Sequence, residues 1–192
     1  MNTTLDRAEG LLLKDVTVLS VKGQKRFAHM CAAHVEHIYV ESFHDDYRVT
    51  ECNVALDSYL ARRINADTMD DFYGRAARAV EDALFMEVFG SPLEDEEANR
   101  AHKAAHRAAT ASAWASSFAI TGVGDPQRLL CISRFAISAS DDAAAELAWQ
   151  MQTIETLLSD DENRGGGSER YRSFPSSFLT AWYVPTSSSG VI

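Results

Sequence analysis

Proline and glycine are scarce in this 192-residue sequence, at four and ten residues, and cysteine occurs three times. So few breakers exclude a collagen-like or low-complexity chain and leave room for long uninterrupted helices. Cys31, Cys52 and Cys131 are odd in number and lack CxxC spacing, which argues against a disulfide framework or a thiol–metal motif. Each lies within an apolar helical pattern, where free cysteine behaves as a small hydrophobe. The expectation is a reduced, cytoplasmic protein. No apolar run approaches the roughly 20 residues of a membrane-spanning helix. The opening MNTTLDRAEGLLLKD also lacks the basic-then-apolar order of a signal peptide.

Basic residues are few as well. Against 28 Asp and Glu stand 18 Lys and Arg, a formal net charge of −10. A duplex-binding surface neutralises phosphates with Lys and Arg, and the nearest basic cluster here is only Lys22, Lys25 and Arg26. General nucleic-acid binding is therefore not expected, and the lack of an apolar span leaves no membrane partner expected either. An acid excess of this size favours a basic protein partner.

What the chain has in quantity is alanine and helical periodicity. Hydrophobic residues make up 46% of it, and they recur at spacings of three and four. A first helix is expected from about Leu5 to Val18, ended by Gly23. A second runs from about Gln24 to Phe43, with Phe27, Met30, Cys31, His34, Ile38 and Ser42 on one face. A third begins after Thr50 and carries Val54, Leu56, Tyr59, Leu60 and Ile64. A fourth, with a capping box at Thr68 and Asp71, presents Phe72, Ala76, Ala79, Val80, Ala83 and Val88 inward and stops at Gly90.

Ser91-Pro92 reads as an N-cap and first helical residue of a fifth helix reaching about Ile120. Its inward face is small: Ala101, Ala104, Ala105, Ala108, Ser112 and Ala115 before Phe118. Asp125-Pro126 opens a sixth helix in the same manner, with Leu129, Leu130, Ile132, Phe135 and Ala136. Ser140 or Asp141 caps a seventh with the stripe Ala144, Leu147, Ala148, Met151, Ile154 and Leu158. The fold class expected is all-α: a single bundle of about seven helices over 1–158, a polar linker over 159–170 and a non-helical, aromatic-containing tail over 171–192. Leu147, Met151, Ile154 and Phe135 are expected in the core.

Catalytic motifs are absent. There is no G-x-S-x-G, no P-loop after Gly165-Gly166-Gly167 and no HExxH. Two histidine stripes are the candidate metal ligands: His37, Glu41 and His44 on the second helix, and Asp95, Asn99, His102 and His106 on the fifth. Neither offers a complete ligand set, because no carboxylate lies one turn before His102 and no paired Glu-x-x-His occurs. No metal and no cofactor are expected. The adjacent acids Asp45-Asp46, Asp70-Asp71, Asp141-Asp142 and Asp160-Asp161 point about 100° apart on a helix and do not converge on one ion. His34, on an apolar face, is expected to be a hydrogen-bonded core histidine.

The order of several short segments resembles the YjaG-type family of uncharacterised bacterial helical proteins. The segments are Phe27 to Ala33 (FAHMCAA) with Tyr39 and Phe43, then Leu56-Asp57, Asp71 to Gly74 (DFYG) and Glu146 to Gln150 (ELAWQ). The resemblance implies a compact helical bundle over about 20–158 and carries no activity or site.

Three functional classes follow. The first is a non-enzymatic acidic protein-binding module, of the kind exemplified by immunity proteins that neutralise a basic toxin. Its candidate surface is the densest acid cluster, Glu94, Asp95, Glu96 and Glu97, although acids in a first helical turn also complement the helix dipole. The second is a helical metal- or cofactor-binding enzyme using the histidine stripes. The third is a structural or homo-oligomerising module built on the alanine-rich helix.

Overall fold

The computed structural model describes residues 14–90, 95–121 and 125–163, together with Leu12. Within them the protein is an all-α bundle of seven helices: α1 (Val21–His34), α2 (Glu36–Ser42), α3 (Arg48–Leu60), α4 (Ala66–Phe85), α5 (Glu96–Thr121), α6 (Pro126–Ala139) and α7 (Ala143–Asn163). Residues 14–18 are helical ahead of α1. The start expected for that helix, the Ser91-Pro92 start, the Gly122–Gly124 break and the tail over 171–192 lie outside the described residues.

The longest helix, α5, is the centre. It packs against α1, α2, α3, α4 and α6, and every residue from Ala108 to Ala113 is buried. The alanines make this possible, because small side chains let five neighbours approach one axis without leaving voids. The small residues that the sequence offers for close approach are thus packed against this chain's own helices; only Ala101, at the start of α5, is exposed. The larger side chains that fill the remaining core include Phe27, Tyr39, Leu56, Phe118, Leu129 and Ile154. The last helix, α7, lies on α1 and α6.

Local chemistry accounts for most helix starts. Asp125 caps α6, its side chain accepting from the Gln127 N–H at 2.9 Å with Pro126 following. Asn65, three residues ahead of the expected Thr68, caps α4 by accepting from the Thr68 N–H. Asp142, not Ser140 or Asp141, accepts from the N–H groups of Ala144 and Ala145. The helix α5 starts at Glu96, with Asp95 accepting from the Ala98 N–H at 2.9 Å.

Three departures from the sequence reading have tertiary causes. The second expected helix breaks at Val35 into α1 and α2. Val35 is buried and the His34 carbonyl turns to accept from the His37 ring, so apolar periodicity continues across a changed axis. Gly23 lies inside α1 instead of ending a helix. A Cβ there would sit 2.9 Å from the Asp161 carboxylate, which accepts from the Ser20 N–H at the start of α1. That contact, with Arg26 to Asp160 beside it, carries α7 to Asn163, past the Leu158 boundary.

The break at Val35 also lets Tyr39 bury and reach Asp46. Burial pushes the Asp46 carboxyl up, but hydrogen bonds from Arg48 and from the Tyr39 hydroxyl, the latter at 2.5 Å, outweigh it and hold the group at about 2. Arg48 continues to Asp82 at 2.7 Å, joining the start of α3 to α4. A carboxyl held below its ordinary 3.8 stabilises the fold fully above about pH 4 and progressively less as pH falls towards 2. Arg48→Met is expected to flatten that acid limb. Urea denaturation of both proteins between pH 2 and 5 measures it, and parallel curves would contradict the assignment.

Candidate functional site

The end of α4 turns outward. Ala76, Ala79 and Ala83 form its buried face, after which Met86–Gly90 winds as a π-type turn. One extra residue per turn from Met86 onward shifts the register, so Val88 no longer follows the inward stripe. Leu84, Phe85, Val88 and Phe89 are 44%, 60%, 58% and 71% exposed. Val88, expected on the inward face, is therefore on the surface. The Phe85 and Phe89 rings pack on each other with centroids 5.1 Å apart. Single exposed apolar residues are ordinary, but four large ones within the six residues from Leu84 to Phe89, at the end of α4 and in the turn after it, form a patch of the kind that marks interaction sites.

The polar member of the turn faces inward. Glu87 meets His106 of α5, Oε2 to Nδ1 at 2.7 Å, with both side chains about one-fifth exposed. This contact fixes the turn against the bundle. Between Glu81 and Glu97 the sequence holds Glu81, Asp82, Glu87, Glu94, Asp95, Glu96 and Glu97 and no Lys or Arg. An apolar knob in a sequence segment without Lys or Arg is the result, with Asp82 taken by Arg48 and Glu87 by His106.

The four acids singled out from sequence divide by role. Asp95 caps α5, Glu96 and Glu97 stand exposed in its first turn, and Glu94 lies outside the described residues. The histidine stripes disperse. His37 donates to the His34 carbonyl, Glu41 is exposed, and His44 falls beyond the end of α2, so these three do not share a helix face. His102 lies against the Phe43 ring with centroids 6.0 Å apart, whereas His106 is taken by Glu87. Among the described residues no group of three His, Cys, Asp or Glu is placed to hold a metal ion.

A second constellation escaped the sequence reading. His34 is not a core residue: its side chain is 41% exposed, and its Nδ1 lies 2.7 Å from Oε2 of Glu146, a carboxylate only 2% exposed. The other oxygen, Oε1, accepts from Gln150 Nε2 at 2.9 Å, and the Gln150 carbonyl accepts from the Ser133 hydroxyl at 2.5 Å. Trp149 covers the imidazole face in a parallel stack at 3.7 Å. A carboxylate-oriented imidazole is the pairing used in general-base catalysis, but the nearest thiol does not complete a nucleophilic site. Burial pushes the Cys31 thiol well up, reinforced by Glu146. A fully buried, protonated thiol is inert. The network ties α1, α6 and α7 together.

A third feature is a surface groove of about 420 Å³ between α1, α2 and α3, lined in part by His29, Glu36, Asn53 and Asp57. No helix of the described residues is long and apolar enough to cross a membrane. No protein-family model, no curated protein and no solved structure matches this chain, so the functional reading stands on the geometry of these surfaces.

Proposed function

We propose that this protein is a non-enzymatic, protein-binding module that engages a basic partner through the apolar turn at Leu84, Phe85, Val88 and Phe89 and the carboxylates around it. The observation that carries this reading is the coincidence of exposed aromatics with a segment devoid of cations. Apolar and aromatic side chains supply most of the affinity once water is excluded from them. The surrounding charges act earlier, steering encounter and selecting a partner of opposite sign. Glu96 and Glu97 serve this role, while Asp95 serves its own helix. Neutralisation of a basic toxin, as an immunity protein does it, is one setting with these requirements of size and charge.

The double variant Phe85→Ser/Phe89→Ser separates binding from folding, since both side chains are exposed. Its unfolding free energy is expected to stay within about 1 kcal/mol of wild type. Wild-type and variant protein, immobilised side by side in a lysate of the source cells, are expected to differ by a basic protein held only by wild type. Identical retention by the two would remove the turn from the binding surface.

A further inference from the structure

The charge of the chain is divided unevenly. Beyond Asn163, where α7 ends, residues 164–192 hold Arg164, Arg170 and Arg172 against one acid, Glu169. A chain with a formal net charge of −10 thus carries a cationic end. The same stretch holds Tyr171, Phe174, Phe178, Trp182 and Tyr183 among small and polar residues. Arginines beside aromatics suit an acidic surface that presents rings of its own. Ring-on-ring and guanidinium-on-ring contacts supply affinity, and opposite charge selects the surface.

The apolar turn has both features. Phe85 and Phe89 are its exposed rings. Glu81, Glu96 and Glu97 nearby in sequence are exposed, whereas Asp82, Glu87 and Asp95 are engaged by Arg48, His106 and the Ala98 N–H. Exposed aromatics elsewhere among the described residues stand singly in sequence: Tyr47 adjoins Arg48, and Trp114 leans edge-on against Phe135. Reach sets no obstacle. From Asn163 the chain to Trp182 measures about 65 Å when extended, at roughly 3.4 Å per residue. The radius of gyration of a domain of about 150 residues is only about 15 Å. A tethered segment also meets the surface at an effective concentration on the order of millimolar, so modest contacts suffice.

We propose that residues 170–183 dock in cis on the apolar turn, with Arg170 and Arg172 meeting the exposed carboxylates and the aromatic side chains covering Phe85 and Phe89. The segment is then an internal competitor that a basic partner must displace, a role that rests on this turn being the partner's binding surface. The partner's apparent affinity falls in proportion to the fraction of molecules in which the surface is occupied.

The test uses the full chain with a nitroxide attached at Ser177→Cys in a Cys131→Ser background, since Cys31 and Cys52 are buried. In ¹⁵N-labelled protein the amides of 84–90, 96 and 97 are expected to broaden relative to the reduced label. Arg170→Glu/Arg172→Glu, added to the labelled chain, is expected to lower that paramagnetic relaxation about tenfold, as placing like charges together disfavours the contact. Spin-labelled protein at natural isotope abundance, mixed with ¹⁵N protein without a nitroxide, is expected to leave those amides sharp. Broadening in the mixture would assign the contact to a second copy and overturn docking in cis. Broadening absent from 84–90, or left unchanged by the arginine variant, would overturn it as well. The basic-partner reading is decided separately, by what wild type retains and Phe85→Ser/Phe89→Ser does not, so the two can fail independently.

Discussion

Gln150→Leu is expected to destabilise the fold by about 2–5 kcal/mol, although glutamine at a helix position normally tolerates replacement by leucine. Gln150 is fully buried and serves both neighbours at once, donating to Glu146 Oε1 and accepting from the Ser133 hydroxyl. Leucine fills a similar volume but strands a buried carboxylate oxygen and a buried hydroxyl. Each stranded group bears its full desolvation cost, which exceeds the net gain of the bond it loses. The double variant Glu146→Leu/Gln150→Leu is expected to be less destabilised than Gln150→Leu alone, because it removes the stranded carboxylate and leaves His34, itself partly exposed, to water. Urea denaturation of wild type, Gln150→Leu, Glu146→Leu and the double variant decides the matter. A strictly additive cycle would show that the network is not a unit.

Phe27→Ala is expected to cost about 3–5 kcal/mol. Phe27 is fully buried on α1, within the same core as Leu129 and Ile132 of α6. Truncation there removes the transfer free energy of the ring and leaves a void that a bundle centred on rigid, small-residue α5 collapses into poorly. Met151→Ala, on the α7 face that the sequence places inward, is expected to cost less, since Met151 is only partly buried. Equal losses in the two variants would mean that the core boundary is misplaced.

The contrast between Met151 and Gln150 shows where the sequence was legible. Starts encoded by local chemistry were readable: Asp125-Pro126 opens α6 where a capping carboxylate and a fixed φ require it. The bundle itself was readable from period alone. What periodicity misplaced is the buried face of α7. Ala144 and Ala148 are exposed, while Glu146, Gln150 and Thr153 are buried beside Leu147 and Ile154. A pattern that scores polar residues as outward cannot find a face whose polar groups satisfy one another. The same holds for Val88, turned to the surface by one extra residue per turn at Met86–Gly90. Of the candidate site, the acid cluster was visible, but Val88 was read as part of the core stripe and Phe85 and Phe89 were not singled out.

The central claim is that the apolar turn and its acidic surround form the contact surface for a basic partner. Hydrogen–deuterium exchange of the protein, alone and with the basic protein retained by wild type, tests it most directly. The account predicts slowed exchange concentrated over 81–97, with the opposite end of α3 around 53–58 unchanged. Protection that falls elsewhere and leaves 81–97 exchanging as in the free protein would contradict it.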